Sequence, residues 1–345
     1  MKKVLKRRLI IIIIISFVAI CAIIGGYGYY LFLSPNFAAT KVTYIYIYPD
    51  KDFNDVCRQL TDSAKCLNIN SFKEVAKLLK YPGNIKTGRY AVKQGMNNYD
   101  LVINLRRGQQ EPVRITFNNI RLKEDLAERL SAQLMISKQD INDLLNDPSY
   151  CESIGFDTTT IMALFIPNTY EVYWNISTEK LFERMQREYN AFWTDERRNR
   201  AQQLRLSPIE VSILASIVEE ESAVTDEYPT IAGLYINRLH RGIPLQADPT
   251  IKYALGDFTL QRILLEHLNI DSPYNTYLHT GLPPGPLRIP SPKTLDAVLN
   301  YSKHNYLYMC AKEDFSGRHN FAVTLAEHNR NADRYQAELN RRGIR

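Results

Sequence analysis

From Leu9 to Leu33 the chain runs for 25 residues without a charged side chain, six of them consecutive isoleucines. A helix of about 20 apolar residues crosses the hydrocarbon core of a bilayer, and a longer one spans it with some tilt. Lys2, Lys3, Lys6, Arg7 and Arg8 stand before it, with no acid among the first eight residues. Positive charge is retained on the cytoplasmic side. Residues 1–8 are therefore expected as a basic cytoplasmic tail, 9–33 as a single transmembrane helix, and the C-terminal bulk on the far side. Tyr27, Tyr29 and Tyr30 suit the outer interface. A cleaved signal peptide is the competing reading, although no small-x-small site follows the apolar core cleanly. Bulky Ile20 before Cys21 counts against a lipid-modified cysteine.

The same five cations account for most of the formal net charge of +6, leaving the rest of the chain close to neutral. Nucleic acid is accordingly not an expected partner. A length of 345 residues has room for about two domains at roughly 150 residues each. Five cysteines support no disulfide framework, although Cys57 and Cys66 could pair in an oxidising compartment.

Past the apolar run, "KVTYIYIYPD" alternates as a strand does, and "DFNDVCRQL" and "SFKEVAKLLKY" carry apolar residues at helical spacing. Ser71, with Glu74 three residues later, is the expected cap of the second helix. A strand through Tyr90 and Val92, a turn at Gly95, a helix from about Asn98 to Arg106 stopped at Gly108, and a strand through Ile115 complete a small α+β module over 41–117. It holds no cluster of titratable groups, so binding or spacing is its expected task. Residues 118–163 are expected as helical connecting structure: Leu122, Leu126, Leu130 and Leu134 stack at i, i+4, and Ser137 and Asp140 open a further helix. From 164 to 345 the pattern is mainly helical and loop-rich. Two long helical stretches, Glu179 to Leu204 and Ser207 to about Glu221, precede a Pro-, Gly-, Asn- and Tyr-rich block that should form ordered loops lining a surface. The fold class is α+β.

The helix opened by Ser207 and Pro208 ends in "ILASIVEEESA", with three glutamates in a row. With Glu221 set at zero on a helical wheel, Leu214 lies at about +20°, Ile217 at about −40° and Val218 at about +60°. Glu221 falls within the apolar stripe, Glu219 at about 160° on the expected wet side, and Glu220 at the boundary. Burial raises a carboxyl pKa, and an acid kept protonated near neutrality is what cleavage of a glycosidic bond requires. The competing reading is a frayed helix end with Glu221 in solvent, and geometry alone does not decide between them.

The ordered blocks "LFIPNTYEVYW", "ASIVEEESA", "INRLHRGIPLQADPTIKYALG", "YNTYLHTGLPPGPLRIPS" and "HNFAVTLAEHN", behind a single N-terminal anchor, resemble the YceG-like endolytic murein transglycosylase family. In that family the catalytic acid is the second glutamate of Glu-x-Glu-[Ser/Thr], which falls here on Glu219-Glu220-Glu221-Ser222 and implies Glu221. Glu220 at the middle position departs from the commonest pattern, and the extra acid should favour a protonated neighbour if the two are close. The resemblance implies a LysM-like subdomain over 41–117 in contact with glycan, and a catalytic transglycosylase domain over 164–345. It also implies attachment to a bacterial inner membrane with that domain in the periplasm, and peptidoglycan glycan strands and peptidoglycan synthases as partners. The implied reaction needs neither metal nor organic cofactor. Glu221 protonates the glycosidic oxygen between N-acetylmuramic acid and N-acetylglucosamine, and the muramic C6 hydroxyl closes on C1 to give a 1,6-anhydro end.

Gln246, Asp248 and Thr250 in "LQADPT", and Tyr274, Asn275 and Thr276 in "PYNTY", match family blocks that line the cleft; their alternative reading is loop structure, since such pairs form turns. Tyr170 and Trp174 are candidates for stacking on sugar rings or for aromatic core. His319 and His328, nine apart with Cys310 nearby, are poorly spaced for zinc. Two rival functions stay open: a catalytically silent peptidoglycan-binding or divisome scaffold, and a hydrolytic muramidase for which Asp248 is the nominated second carboxylate.

Overall fold

The structure is a computed structural model that describes residues 2–260 and 262–343. Met1 of the expected basic tail, Gln261, and Ile344 and Arg345 of the expected 164–345 region lie outside the described residues. The chain divides into two compact units, one up to Arg114 together with Glu171–Ile176, the other Ile115–Tyr170 together with the residues described after Ile176.

The first unit begins with helix α1 (Lys2–Phe32), of which Val4–Phe32 is long and apolar enough to cross a membrane. Its apolar side chains stay exposed until the last turn, where Leu31 enters the core of the unit. Polar contacts fix that turn: Asn98 Nδ2 donates to the Leu31 carbonyl at 2.8 Å, and Asn68 Nδ2 to the Tyr30 hydroxyl at 2.9 Å. Strand β1 (Thr43–Ile47) pairs antiparallel with β2 (Gly88–Val92), Thr43 opposite Val92, and between them lie α2 (Phe53–Asp62) and α3 (Ile69–Leu78). Helix α4 (Asn98–Arg107) follows, ended by Gly108 in the left-handed region at φ 73°, which a side chain would disfavour.

This is the strand–helix–helix–strand order expected for 41–117. The cap of α3 is a correction. Asn68, not Ser71, accepts the orphan N–H groups of Asn70 and Ser71, and Ser71 lies inside the first turn, donating to the Asn68 carbonyl at 2.8 Å. Trp174 belongs to this unit, packed edge-on against Tyr46 and Tyr48 at 5.0 and 4.7 Å between centroids, and is 4% exposed. It is aromatic core. Cys57 and Cys66 are both free thiols.

Strand β3 (Val113–Thr116) pairs with β4 (Thr169–Val172). In the second unit, α5 (Lys123–Ser131) buries Leu126 and Leu130, and α6 (Lys138–Leu145) carries the Ser137–Asp140 capping box expected for it. Then come α7 (Pro148–Ser153), α8 (Thr178–Phe192) and α9 (Asp195–Gln203), so the expected single stretch from Glu179 to Leu204 is broken at Trp193 and Thr194, the latter capping α9. Tyr170 stacks on Phe117 and donates its hydroxyl to the Ile166 carbonyl, also as core.

The centre of this unit is α10 (Pro208–Glu221), opened by the Ser207–Glu210 capping box. Every residue from Val211 to Val218 is buried, Ser212 and Ser216 included. That corrects the two-faced helix assumed in the wheel: from Val211 to Val218 α10 has no wet side, which fits the nearly unbroken apolar and small-residue composition of that stretch. Ser216 turns its hydroxyl to the Leu287 N–H at 2.9 Å, so even its polar group is satisfied by a neighbouring segment. Around α10 lie α11 (Tyr228–His240), α12 (Asp248–Leu255) and α13 (Pro292–Leu299). The hairpin of β5 (Tyr308–Ala311) and β6 (His319–Ala322) and helix α14 (Leu325–Arg342) complete the unit. Residues 256–291 are loop apart from one 3-10 turn among the described residues, as the Pro- and Gly-rich block predicts.

Candidate active site

Helix α10 ends at Glu221 because Ser222 drops to extended backbone, φ −139° and ψ 137°. The Glu221 carboxyl is left on the wall of a cavity of about 230 Å³, together with Tyr235 and Arg238 of α11, Gln246 and Asp248, Tyr277, and Met309 to Ala311 and His319 of the hairpin. Tyr235 and Arg238 are three residues apart on one helix, so they share a face. The Tyr235 hydroxyl donates a hydrogen bond to Glu221 Oε1.

Glu221 keeps accessible surface where it meets the cavity, and protein surrounds the rest of the group. Burial pushes its pKa from the ordinary 4.5 to about 7. The Tyr235 hydrogen bond opposes the rise, the Asp248 charge adds to it, and Lys252 and Arg238 pull it back. Tyr235 is driven well above the ordinary tyrosine range by burial and by the Glu221 charge, so it remains a donor at any physiological pH.

Arg238 braces the loop below this wall. Only 6% exposed, it donates to the carbonyls of Leu307 at 2.6 Å, Pro244 at 2.9 Å and Leu245 at 2.9 Å, and to Gln246 Oε1 at 3.1 Å. Gln246 sits at φ 51°, a left-handed conformation that costs a non-glycine residue about 1 kcal/mol or more. The surrounding hydrogen bonds hold it there.

Of the six residues nominated beside Glu221, Gln246 and Asp248 line the cavity. Asp248 accepts the Tyr277 hydroxyl at 2.5 Å, and both residues also line a second cavity of about 650 Å³ with Arg262 to Glu266 and Leu268. The other four lie behind the wall. Thr250 and Thr276 are buried against each other at 2.9 Å, and Thr276 Oγ1 accepts the Ala247 N–H at 3.0 Å, so they pin the "LQADPT" turn. Buried Asn275 donates to the carbonyls of Leu268 and Ile270, both at 2.9 Å. Tyr274 packs on Tyr253 at 4.7 Å between centroids. Tyr235, Arg238, Tyr277 and His319 were not nominated for this wall from the sequence; the i, i+3 pair in "LYINR" and the second tyrosine of "YNTY" were the available signals.

The neighbouring glutamates require correction. Glu219 is not on a wet face: it is 13% exposed, accepts the Ser291 N–H at 2.8 Å at the start of α13, and is bonded by the Thr294 hydroxyl. Glu220 is gripped by Arg121, with Nε at 3.0 Å and Nη2 at 2.8 Å, and by Arg288 Nη1 at 2.8 Å. Arg288 Nε also lies 3.5 Å from Glu219. Glu220 is thus paired with two arginines, and the acid that adds to the burial-driven rise at Glu221 is Asp248.

A carboxyl group raised toward neutrality on the wall of a cleft is the constellation used by general acid–base enzymes. Sequence comparison is more specific: residues 45–334 match the YceG-like family, and this chain belongs to that family. The chain is similar to the endolytic murein transglycosylase of Bacillus subtilis strain 168, at 29% identity over 290 residues covering 79% of each protein. It is 28% identical over 304 residues to the endolytic murein transglycosylase of Streptococcus pneumoniae strain D39, covering 78% of this chain and 54% of that protein. A crystal structure of a yceG-like protein from Listeria monocytogenes matches 85% of this chain and 99% of its own, with a TM-score of 0.54 and 25% identity.

Proposed function

We propose that this chain is a membrane-anchored endolytic lytic transglycosylase of peptidoglycan, with Glu221 as its acid and then its base. The observation that carries the reading is the Glu221 carboxyl, raised to about 7 on the cavity wall. Family membership and the names of the relatives support the substrate class.

In this reading Glu221 gives its proton to the oxygen joining N-acetylmuramic acid to the next N-acetylglucosamine as the bond from that oxygen to C1 breaks. The carboxylate so formed takes the proton of the muramic C6 hydroxyl while that oxygen bonds to C1. The proton count closes, no water is consumed, and the strand ends in a 1,6-anhydro-muramoyl residue. One carboxyl serves twice because the nucleophile belongs to the substrate and is already held near the reacting carbon. Asp248, on the same wall, sets a negative charge near the positive charge that develops at C1. A second cavity shares Asp248 and Tyr277 with the first, so a strand at Glu221 has room to continue beyond it, which suits an internal cut.

The segment 9–33 acts as the membrane anchor, and residues 41–117 as a LysM-like subdomain in contact with glycan. Residues 118–163 connect this to a catalytic region over 164–345 on the periplasmic side. Tethering raises effective concentration only for substrate within reach of the membrane, which favours nascent strands leaving membrane-bound synthases. The test is Glu221→Gln, nearly isosteric and without the proton: cleavage of peptidoglycan is lost while the thermal midpoint does not fall. Cleavage at near the wild-type rate by this variant would contradict the assignment. A second reading, water-dependent hydrolysis, is favoured only by the carboxylate of Asp248, and the chemistry of the product ends separates the two.

A further inference from the structure

Glu227 is a carboxylate enclosed by protein at 6% exposure, at the end of the 3-10 turn Thr225–Glu227 that leads into α11. Its oxygens meet three donors: the His319 backbone N–H at 3.0 Å, His319 Nδ1 at 3.0 Å and the Ser222 hydroxyl at 3.3 Å. Ser222 directly follows Glu221, and His319 is the first residue of β6 and lines the Glu221 cavity. One buried carboxylate therefore ties the end of the helix that carries Glu221 to a ring on the cavity wall. Nδ1 is engaged with the Glu227 carboxyl group, so Nε2 is the ring atom left to meet a ligand in the cavity. Nε2 makes no hydrogen bond among the described residues, and the reaction outlined above does not use it.

The geometry points to His319 as a substrate-binding residue whose Nε2 hydrogen-bonds a hydroxyl or acetamido group of the glycan strand. Glu227 is its positioning residue, holding Nδ1 and the backbone N–H and so aiming the ring. This rests on the glycan-cleaving reading and adds to it a recognition element supplied by the β5–β6 hairpin. A bare latch between β6 and the end of α10 would need only the Nδ1 side of the ring.

Two substitutions separate the cavity role from the latch. Asparagine sets its amide nitrogen near the Nδ1 position and keeps the Glu227 contact, but leaves nothing at Nε2. Glutamine sets its amide group near Nε2 and loses the Glu227 contact. The experiment uses the full chain in detergent, in a Glu221→Gln background, titrated calorimetrically with uncross-linked strands of N-acetylglucosamine and N-acetylmuramic acid. Adding His319→Asn weakens binding about three- to tenfold, the worth of one hydrogen bond, with the thermal midpoint unchanged. Adding His319→Gln instead restores most of that binding while lowering the midpoint. Unchanged binding in His319→Asn, or binding that simply tracks the midpoint across both variants, overturns the inference. If Glu221→Gln abolishes cleavage but His319→Asn binds normally, the functional reading stands and only the role of His319 falls. If the wild-type chain neither binds nor cleaves glycan, both fall together.

Discussion

The hydroxyl of Tyr235 donates a hydrogen bond to the carboxyl group of Glu221, joining the end of α10 to the middle of α11. This bond favours the ionised carboxylate, whereas burial and Asp248 favour the acid, and the balance leaves Glu221 near 7. Tyr235→Phe removes the opposing contribution, so the pKa of Glu221 rises further. The descending limb of the pH profile of kcat/KM, which follows loss of the acid as pH rises through about 7, moves to higher pH. The rate at the optimum falls about tenfold because the carboxyl loses its fixed orientation, a part of the 10²–10⁴ that a placed acid contributes. A limb that stays put would show that Glu221 is not the titrating group.

Asp248→Asn has the opposite sign. Its charge raises Glu221, so removing it lowers that pKa and moves the same limb to lower pH. The pair of variants, measured on one substrate, should therefore displace the profile in opposite directions. Displacement in a common direction would contradict the geometry of the wall.

The raised pKa also carries a stability cost. For a group whose folded-state pKa lies above its unfolded value, the favourable contribution is complete below the unfolded value, here about 4.5, and is lost as pH rises through about 7. Glu221→Gln escapes that loss. Its thermal midpoint should match wild type near pH 4.5 and exceed it by an amount that grows up to about pH 7, corresponding to as much as about 3 kcal/mol. A gap that is constant across this range would mean that the carboxyl is not buried in the folded state.

Much of this arrangement was legible in the sequence, and the limits of that reading have physical causes. Ser137 with Asp140, and Ser207 with Glu210, announce their helices because capping is local chemistry over three residues. Gly108 announces a stop for the same reason. The wheel on α10 assumed one dry and one wet face. "SILASIV", with small residues between the aliphatic ones, folds as a helix covered on all sides. The partners that cover it lie far away in the chain: Arg121 and Arg288 are 99 and 68 residues from Glu220, and Ser291 is 72 from Glu219. No periodicity encodes such pairs. His319 reaches the cavity from 98 residues beyond Glu221, and although it opens the quoted block "HNFAVTLAEHN" nothing in that block says which cavity it faces; Asp248 and Gln246 were marked by a motif.

The buried ion cluster yields a prediction about stability rather than chemistry. Arg288 is 10% exposed at the side chain and serves both Glu219 and Glu220, at 13% and 15%. Arg288→Met leaves two carboxylates short of a partner in a poorly solvated site, a loss of about 3 kcal/mol in unfolding experiments. Arg121, at 35% exposure, shares only Glu220, so Arg121→Ala should cost about 1 kcal/mol. Equal losses in the two variants would refute the view that Arg288 is the keystone of the cluster.

The central claim is the chemistry at Glu221, and the most direct measurement is the mass of the ends that the full-length protein makes on uncross-linked glycan strands. The account predicts 1,6-anhydro-muramoyl ends, one water lighter than hydrolysed ends, on internal fragments that appear before any disaccharide accumulates, and no such ends with Glu221→Gln. Reducing muramic acid ends carrying the added water, or anhydro ends persisting at the wild-type rate in Glu221→Gln, would contradict it.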